Sequence, residues 1–382
     1  MARFKRLADS INYSRPVIAM TDNIKLYPCL GYSANLGYII GSTLPLEQTY
    51  VEDYNEVKLI IQNIISNNAV AKQVHLYLLQ VSSLRLTFDQ ILNFKIPLPK
   101  FPPVVVRLIL NNGNETSVQI LQMHKQVLEI AEQIFIYIVF VGADGAISEF
   151  NVQKYLMAKD TEQTISFIGP VIQVSDSLYT QKSARNALFS KVRLLTLGHY
   201  IAMYNQILDL CKQPDSVLYK KNVINCDHQN DGASYRLFCF SFLNQVLDSN
   251  ISENNRYGLF IYLFVIGELI DAYQNRTISH LKRARMLRKE FSATQTLNIL
   301  ISLAESLILL IISYRNFYPS YLLLPWLHGS EGYEHFFRLY RQINNDFSFF
   351  DLLYLVPKVL YVYKTYMTGT LNEVIKDRHL VL

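Results

Sequence analysis

The 382 residues are half hydrophobic and 13% aromatic, with a formal net charge of +5. That is enough apolar material for a large packed core, and it excludes a disordered chain. The mild basic excess permits a nucleic-acid partner without demanding one. The four cysteines, Cys29, Cys211, Cys226 and Cys239, form no CxxC pair, which argues against a zinc ribbon or a disulfide framework and fits a reducing compartment.

Residues 1–15 lack the apolar centre of a signal peptide and are expected as a tail. From Pro16 to about Tyr155 the pattern favours strands over Val17–Met20, Tyr38–Ile40, Val74–Val81, Val104–Leu110 and Ile134–Val141. These runs are rich in β-branched and aromatic residues and are bounded by Gly, Pro or Asn. Asn35–Gly37 suits the turn of a hairpin joining the first two. Between the last two, Val118–Glu132 places Ile120, Leu121, Val127, Leu128 and Ala131 on one helical face.

From about Ser183 the signals become helical, over Ala184–Cys211, Tyr235–Leu247, Tyr257–Asn275, Ile278–Phe291 and Thr294–Arg315. Gln213–Asn230 is a polar connection. Two further helices are expected at Ser330–Ile343 and from Ser348 past Tyr363. The apolar runs Tyr257–Ile270 and Leu297–Ser313 contain or end at Glu268 and Glu305. Neither reaches the roughly 18 to 20 unbroken apolar residues of a membrane span, so both are expected as buried helices and no membrane partner is expected.

Three acids stand where chemistry could use them. Asp22 follows the apolar run Val17–Met20, Asp144 follows Ile136–Val141, and Glu334 lies on the helix near the C-terminus. A carboxylate at the end of a core strand is held by that strand and can converge with others on two metal ions roughly 3.5–4 Å apart. Oxygen ligands of this kind suit Mg2+ or Mn2+. Taken alone, an Asp after an apolar run is more often an ordinary turn residue.

The flanking residues carry a resemblance. Thr21-Asp22-Asn23-Ile24-Lys25-Leu26, with Gly37-Tyr38-Ile39-Ile40-Gly41 after it, resembles the first catalytic strand and hairpin of P-element and THAP-domain DNA transposases. Gly142-Ala143-Asp144-Gly145-Ala146 resembles the motif of their second acid. The stretch from Asp176 to Asn186 resembles a D-x-x-H-x-x-K-x-x-R-N helix start. Glu334-His335-Phe336-Phe337 with Arg341 resembles the helix of the third acid, and Leu327 to Glu331 resembles the lead-in of fungal relatives. The four motifs run in family order from Val17 to about Lys358.

This resemblance implies an RNase H-like α/β core, a mixed sheet flanked by helices, interrupted by a large all-helical insertion. It divides the chain into a first core part over 16–186, an insertion over 187–318 and a return to the core over 319–382. It also implies Asp22, Asp144 and Glu334 as catalytic metal ligands, with Glu334 preferred to Glu331 because it matches the motif. DNA becomes the expected partner and the nucleus the expected place of action, and self-association is left open. Lys182, Arg185 and Arg341 would then lie near phosphates. Lys282, Arg285 and Lys289 form a cationic ridge on their helix that could neutralise DNA phosphates or simply face water.

Two positions depart from the pattern: Tyr179 stands where the family has His, and Arg338 where it has Gly. The roughly twenty residues before Asp22 are too few for the zinc-binding end-recognition module. A catalytically inactive, transposon-derived DNA- or protein-binding module is therefore the alternative, and a helical scaffold whose acids lie far apart is a third reading. His328 and His335 have no partner at metal-site spacing. No phosphate-binding glycine loop is present, and nothing supports a guanine nucleotide in the insertion.

Overall fold

The computed structural model describes residues 1–10, 13, 16–81, 103–143, 151–152, 172–190, 195–197, 199–224, 227–249, 255–291, 298–329 and 331–368. The chain divides into two units, 1–173 with 313–382, and 174–312.

The first unit opens with α1 (Ala2–Ser10), where a tail was expected. Phe4 and Ala8, one helical turn apart, are buried in the core, so the first residues belong to the fold. Next come β1 (Val17–Lys25), the short β2 (Gly31–Ser33) and β3 (Tyr38–Ile40), α2 (Val57–Ser66), β4 (Gln73–Val81) and β5 (Val104–Asn111). After them, α3 (Ser117–Gln133) starts at a capping box in which Thr116 and Gln119 bond reciprocally. It leads to β6 (Ile138–Ala143), and β7 (Ile172–Ser175) completes the sheet.

The sheet order is β5-β4-β1-β6-β7. β4 runs antiparallel to both β5 and β1, whereas β6 runs parallel to β1. The expected mixed sheet is thus present. The expected hairpin between Val17–Met20 and Tyr38–Ile40 is not: β3 pairs with β2 across the turn ending at Gly37, and β1 takes β4 as its antiparallel partner. Strand β6 also starts later than Ile134, because α3 runs to Gln133 and Phe135 then turns with φ 58°.

Side chains alternate across β1. Val17 and Ala19 join Tyr77, Leu79, Val127 and Ala131 in one core on the α1 and α3 side. Ile18, Met20 and Asp22 belong to the other face. A smaller cluster of Ile39, Val51, Ile64 and Ala69 lies around β3 and α2.

Among its described residues the second unit is helical apart from the end of β7 and one hairpin. It contains α4 (Ser177–Phe189), β8 (Leu195–Leu197), β9 (Tyr200–Ala202), α5 (Tyr204–Cys211), α6 (Lys220–Val223), α7 (Asp231–Phe238), α8 (Phe240–Asp248), α9 (Tyr257–Gln274) and α10 (His280–Phe291). The single helix expected over Ala184–Cys211 is therefore two helices flanking a hairpin. Residues Tyr235–Leu247 are likewise divided, at Cys239. Gly258 explains the seat of the hairpin: a Cβ there would collide with the backbone of Ile201.

Helix α11 (Asn298–Phe317) follows. Its segment Leu300–Phe317 is long and apolar enough to cross a membrane by length and composition. Leu300, Leu303, Leu307 and Leu310 form a buried stripe along it, and Tyr273 donates to the Leu303 carbonyl at 2.7 Å. After α11 the chain returns to the first unit with α12 (Glu331–Ile343) and α13 (Phe349–Thr368).

Candidate functional site

Asp22 lies in β1 beyond its fully buried first half, and its side chain is half-buried. One carboxylate oxygen accepts from the Asn23 amide at 2.6 Å. The last described rung between β1 and β6 pairs Thr21 with Ala143. Asp144, the next residue, lies outside the described residues.

Helix α12, which carries Glu334, meets the same strand through the residues just before that acid. The hydroxyl of Tyr333 donates to the Asp22 carbonyl at 3.0 Å. A Cβ on Gly332 would lie 3.0 Å from Met20 Sδ and 3.2 Å from Gln80 Oε1. Gly329, in the lead-in, presents its carbonyl 3.4 Å from where a Gly142 Cβ would stand. The start of α12 is thus seated on the face of the sheet that carries Met20, and by alternation Asp22. Glu334, directly after Tyr333, is half-buried. The elements bearing Asp22 and Glu334 are in contact, so this pair is not separated in the manner of a scaffold. The side chain of Glu331 lies outside the described residues.

On the opposite face, beside Asp22, lies a buried polar network. His75 has no exposed surface and sits between Thr21 Oγ1 at its Nε2 and Asn23 Oδ1, 3.2 Å from its Nδ1. Asn111 donates to the same Asn23 oxygen at 2.8 Å. The Asn23 oxygen can only accept, so Nδ1 carries the proton and Nε2 accepts from the Thr21 hydroxyl. Tyr77 and His124 extend the cluster with a contact of 2.9 Å. Thr21 and Asn23, the residues on either side of Asp22, are therefore tied to neighbouring strands. Sequence reading missed His75 and Tyr333. A histidine inside the apolar run Val74–Val81 was the available signal for the first, and nothing beyond adjacency to Glu334 marked the second.

The donor set fits a hard divalent cation. Asp22 and Glu334 offer carboxylate oxygens, partly open to water, on adjoining elements, and Mg2+ and Mn2+ prefer oxygen donors and retain water. Among the described residues no group of three His, Cys, Asp or Glu is placed to hold a metal. His335 is half-buried.

Of the expected DNA-binding residues, Lys182 and Arg185 are buried, whereas Lys282, Arg285 and Arg341 are exposed. Arg185 is completely buried and donates to the carbonyls of Asn230 at 2.7 Å and Asp227 at 2.9 Å. Lys182 is buried and pairs with Asp231 at 3.0 Å. Both hold α4 to the start of α7, and neither offers a surface to a phosphate. Tyr179, on the same helix, is half-buried. Lys282 and Arg285 are exposed on α10, as the ridge requires, whereas Arg283 between them is buried and donates to the carbonyls of Ala272 and Asn275 at the end of α9. The side chain of Lys289 lies outside the described residues. Arg341 is exposed in the last turn of α12.

No protein-family model and no curated protein sequence matches the chain. In shape the chain is similar to a solved structure, the Drosophila P element transposase strand transfer complex, with a TM-score of 0.61 over 92% of this chain and 76% of that one, at 12% sequence identity. At that identity the likeness is one of fold: the chain has a transposase-like architecture, a mixed sheet flanked by helices with a largely helical unit inserted.

Proposed function

We propose that the chain is the catalytic core of a DNA transposase, cleaving and joining DNA strands at a site made by Asp22, Glu334 and Asp144. The observation that carries the reading is the seat of α12 on β1, with Tyr333 on the Asp22 carbonyl. It brings the strand of the first acid and the helix of the third together within the same architecture as a transposase in its strand transfer complex. Asp144 follows Ala143, the strand partner of Thr21.

In this reading Asp22, Glu334 and Asp144 would hold two Mg2+ or Mn2+ ions, which would activate water or a DNA 3′-hydroxyl as nucleophile and stabilise the departing oxygen. The attacking oxygen forms a bond to phosphorus, the phosphodiester bond to the 3′ oxygen breaks, and the released oxygen takes a proton. The chain's own contribution is to hold the carboxylates in place, through the Thr21–His75–Asn23 network on one face and the α12 contact on the other. DNA is then the partner, Lys282, Arg285 and Arg341 are the exposed cations that would meet it, and the nucleus is the place of action.

A second reading, a catalytically silent transposon-derived binding module, draws on the burial of Lys182 and Arg185, which removes two cations from the DNA-facing set. Nicking of supercoiled plasmid by the full chain in Mg2+ or Mn2+ separates the two. Metal-dependent nicking that disappears in Asp144→Ala and Asp22→Asn is the expected result. Folded wild-type protein that leaves the plasmid intact overturns the catalytic reading in favour of the silent one.

A further inference from the structure

The two acid-bearing elements touch through the residue next to Glu334 and the backbone of Asp22, and we propose that Tyr333 is a positioning residue that sets the spacing between these acids. The inference rests on the two-metal reading above. Beyond the rung between Thr21 and Ala143, the next β1 carbonyl, that of Asp22, accepts from the phenol of Tyr333 at 3.0 Å. Tyr333 is only 2% exposed and its ring packs 4.8 Å from that of Phe337, so the phenol has little room to swing.

A backbone carbonyl does not move independently of its strand, so a bond to it fixes where the Cα of Asp22 stands relative to α12. Tyr333 and Glu334 are consecutive and project about 100° apart around the helix. Anchoring one sets the azimuth of the other. Gly332 keeps this approach close: a Cβ there would stand 3.0 Å from Met20 Sδ and 3.2 Å from Gln80 Oε1, so those side chains would have to shift to admit it. A close approach at a glycine and a directional bond, one residue apart, constrain the distance and the rotation of the helix, which a metal constellation requires to within about half an ångström.

Tyr333→Phe keeps the ring and removes the hydroxyl. Manganese binding to the full chain is read from the loss of the free-ion EPR signal, with the melting temperature recorded beside it. The expected result is binding about five-fold weaker, the share of one neutral hydrogen bond, with the fold retained. In a Glu334→Gln background the same change is expected to add nothing, because the group that Tyr333 aligns is gone. Should Tyr333→Phe fail to fold, Gly332→Ala, whose Cβ would crowd Met20 and Gln80 at the same contact while leaving the hydroxyl in place, is expected to weaken manganese binding in the same background-dependent way.

Binding by Tyr333→Phe equal to wild type, or equal weakening in both backgrounds, overturns the positioning role alone. Wild-type protein that binds no manganese overturns the two-metal reading and the positioning role with it. The wild-type titration therefore tells the two failures apart.

Discussion

Lowering the pH should loosen the first unit through His328. This residue lies in the lead-in to α12, fully buried, with its ring edge against Phe140 at 5.1 Å between centroids. Nδ1 lies 2.8 Å from the Leu324 carbonyl, which can only accept, so Nδ1 holds the proton and Nε2 faces the Tyr314 hydroxyl at 3.3 Å. Burial pulls its pKa from 6.5 down to about 4, with the bond to Leu324 acting in the opposite direction. In the folded state the ring stays neutral, while in the unfolded chain it takes up a proton below 6.5. More protons on the unfolded state means that stability rises with pH across this window and falls as pH drops from 6.5 towards 4. The two pKa values give a loss of about 2 kcal/mol between pH 7 and pH 5, approaching about 3 kcal/mol below pH 4. Urea unfolding of wild type and His328→Asn at pH 7 and pH 5 isolates the term, because Asn keeps an N–H for Leu324 and does not titrate. Wild type should lose about 2 kcal/mol more than the variant over that interval. Equal losses would show that His328 is hydrated or charged in the folded protein and would refute the reasoning.

Two further outcomes follow from other parts of the chain. Gly41 has φ +95°, and a Cβ there would collide with the Cys29 carbonyl, so Gly41→Ala should cost about 2 kcal/mol or more; a thermal melt shifted by less than about a degree would contradict this. Replacing the exposed Lys282 and Arg285 by Glu should weaken binding to duplex DNA and lower the slope of log affinity against log salt by about 2; an unchanged slope in a fluorescence anisotropy titration means the ridge only faces water.

The strands of the central sheet were legible because their apolar runs are long and well bounded, as in Val74–Val81 and Val104–Leu110. Their pairing was not. Val17 meets Val81 and Lys25 meets Gln73, and no local rule reports a partner so distant in the chain, whereas the Asn35–Gly37 turn suggested a nearby one. The hairpin of β8 and β9 went unread because three residues a side are too few to show a period of two against strong helical neighbours. Helix α1 went unread because Phe4 and Ala8 alone mark its buried side. For the proposed site, the flanking motifs singled out Asp22 and Glu334, and the contact between their elements required the fold. The basic residues were least legible: Lys182 and Arg185 were expected near phosphates and are buried, and so is Arg283 within the basic run. A guanidinium inside a helical unit is tolerated where carbonyls at helix termini receive it, which a sequence does not display.

The first unit is made from both ends of the chain, and this bears on how a ribosome would deliver it. When residue 173 has emerged, four of the five strands are complete and α1 and α3 can cover one face of the sheet. The other face, with Met20, Gln80 and Phe140, waits for residues 328–340. Meanwhile all of 174–312 has to be synthesised, at about 5–20 residues per second. For several seconds, therefore, a greasy sheet face and the strand of Asp22 stand open to water before their own helix exists. A nascent chain of this design favours early closure of the inserted unit, and it has a built-in need for a holding chaperone that a contiguous domain of the same size would escape.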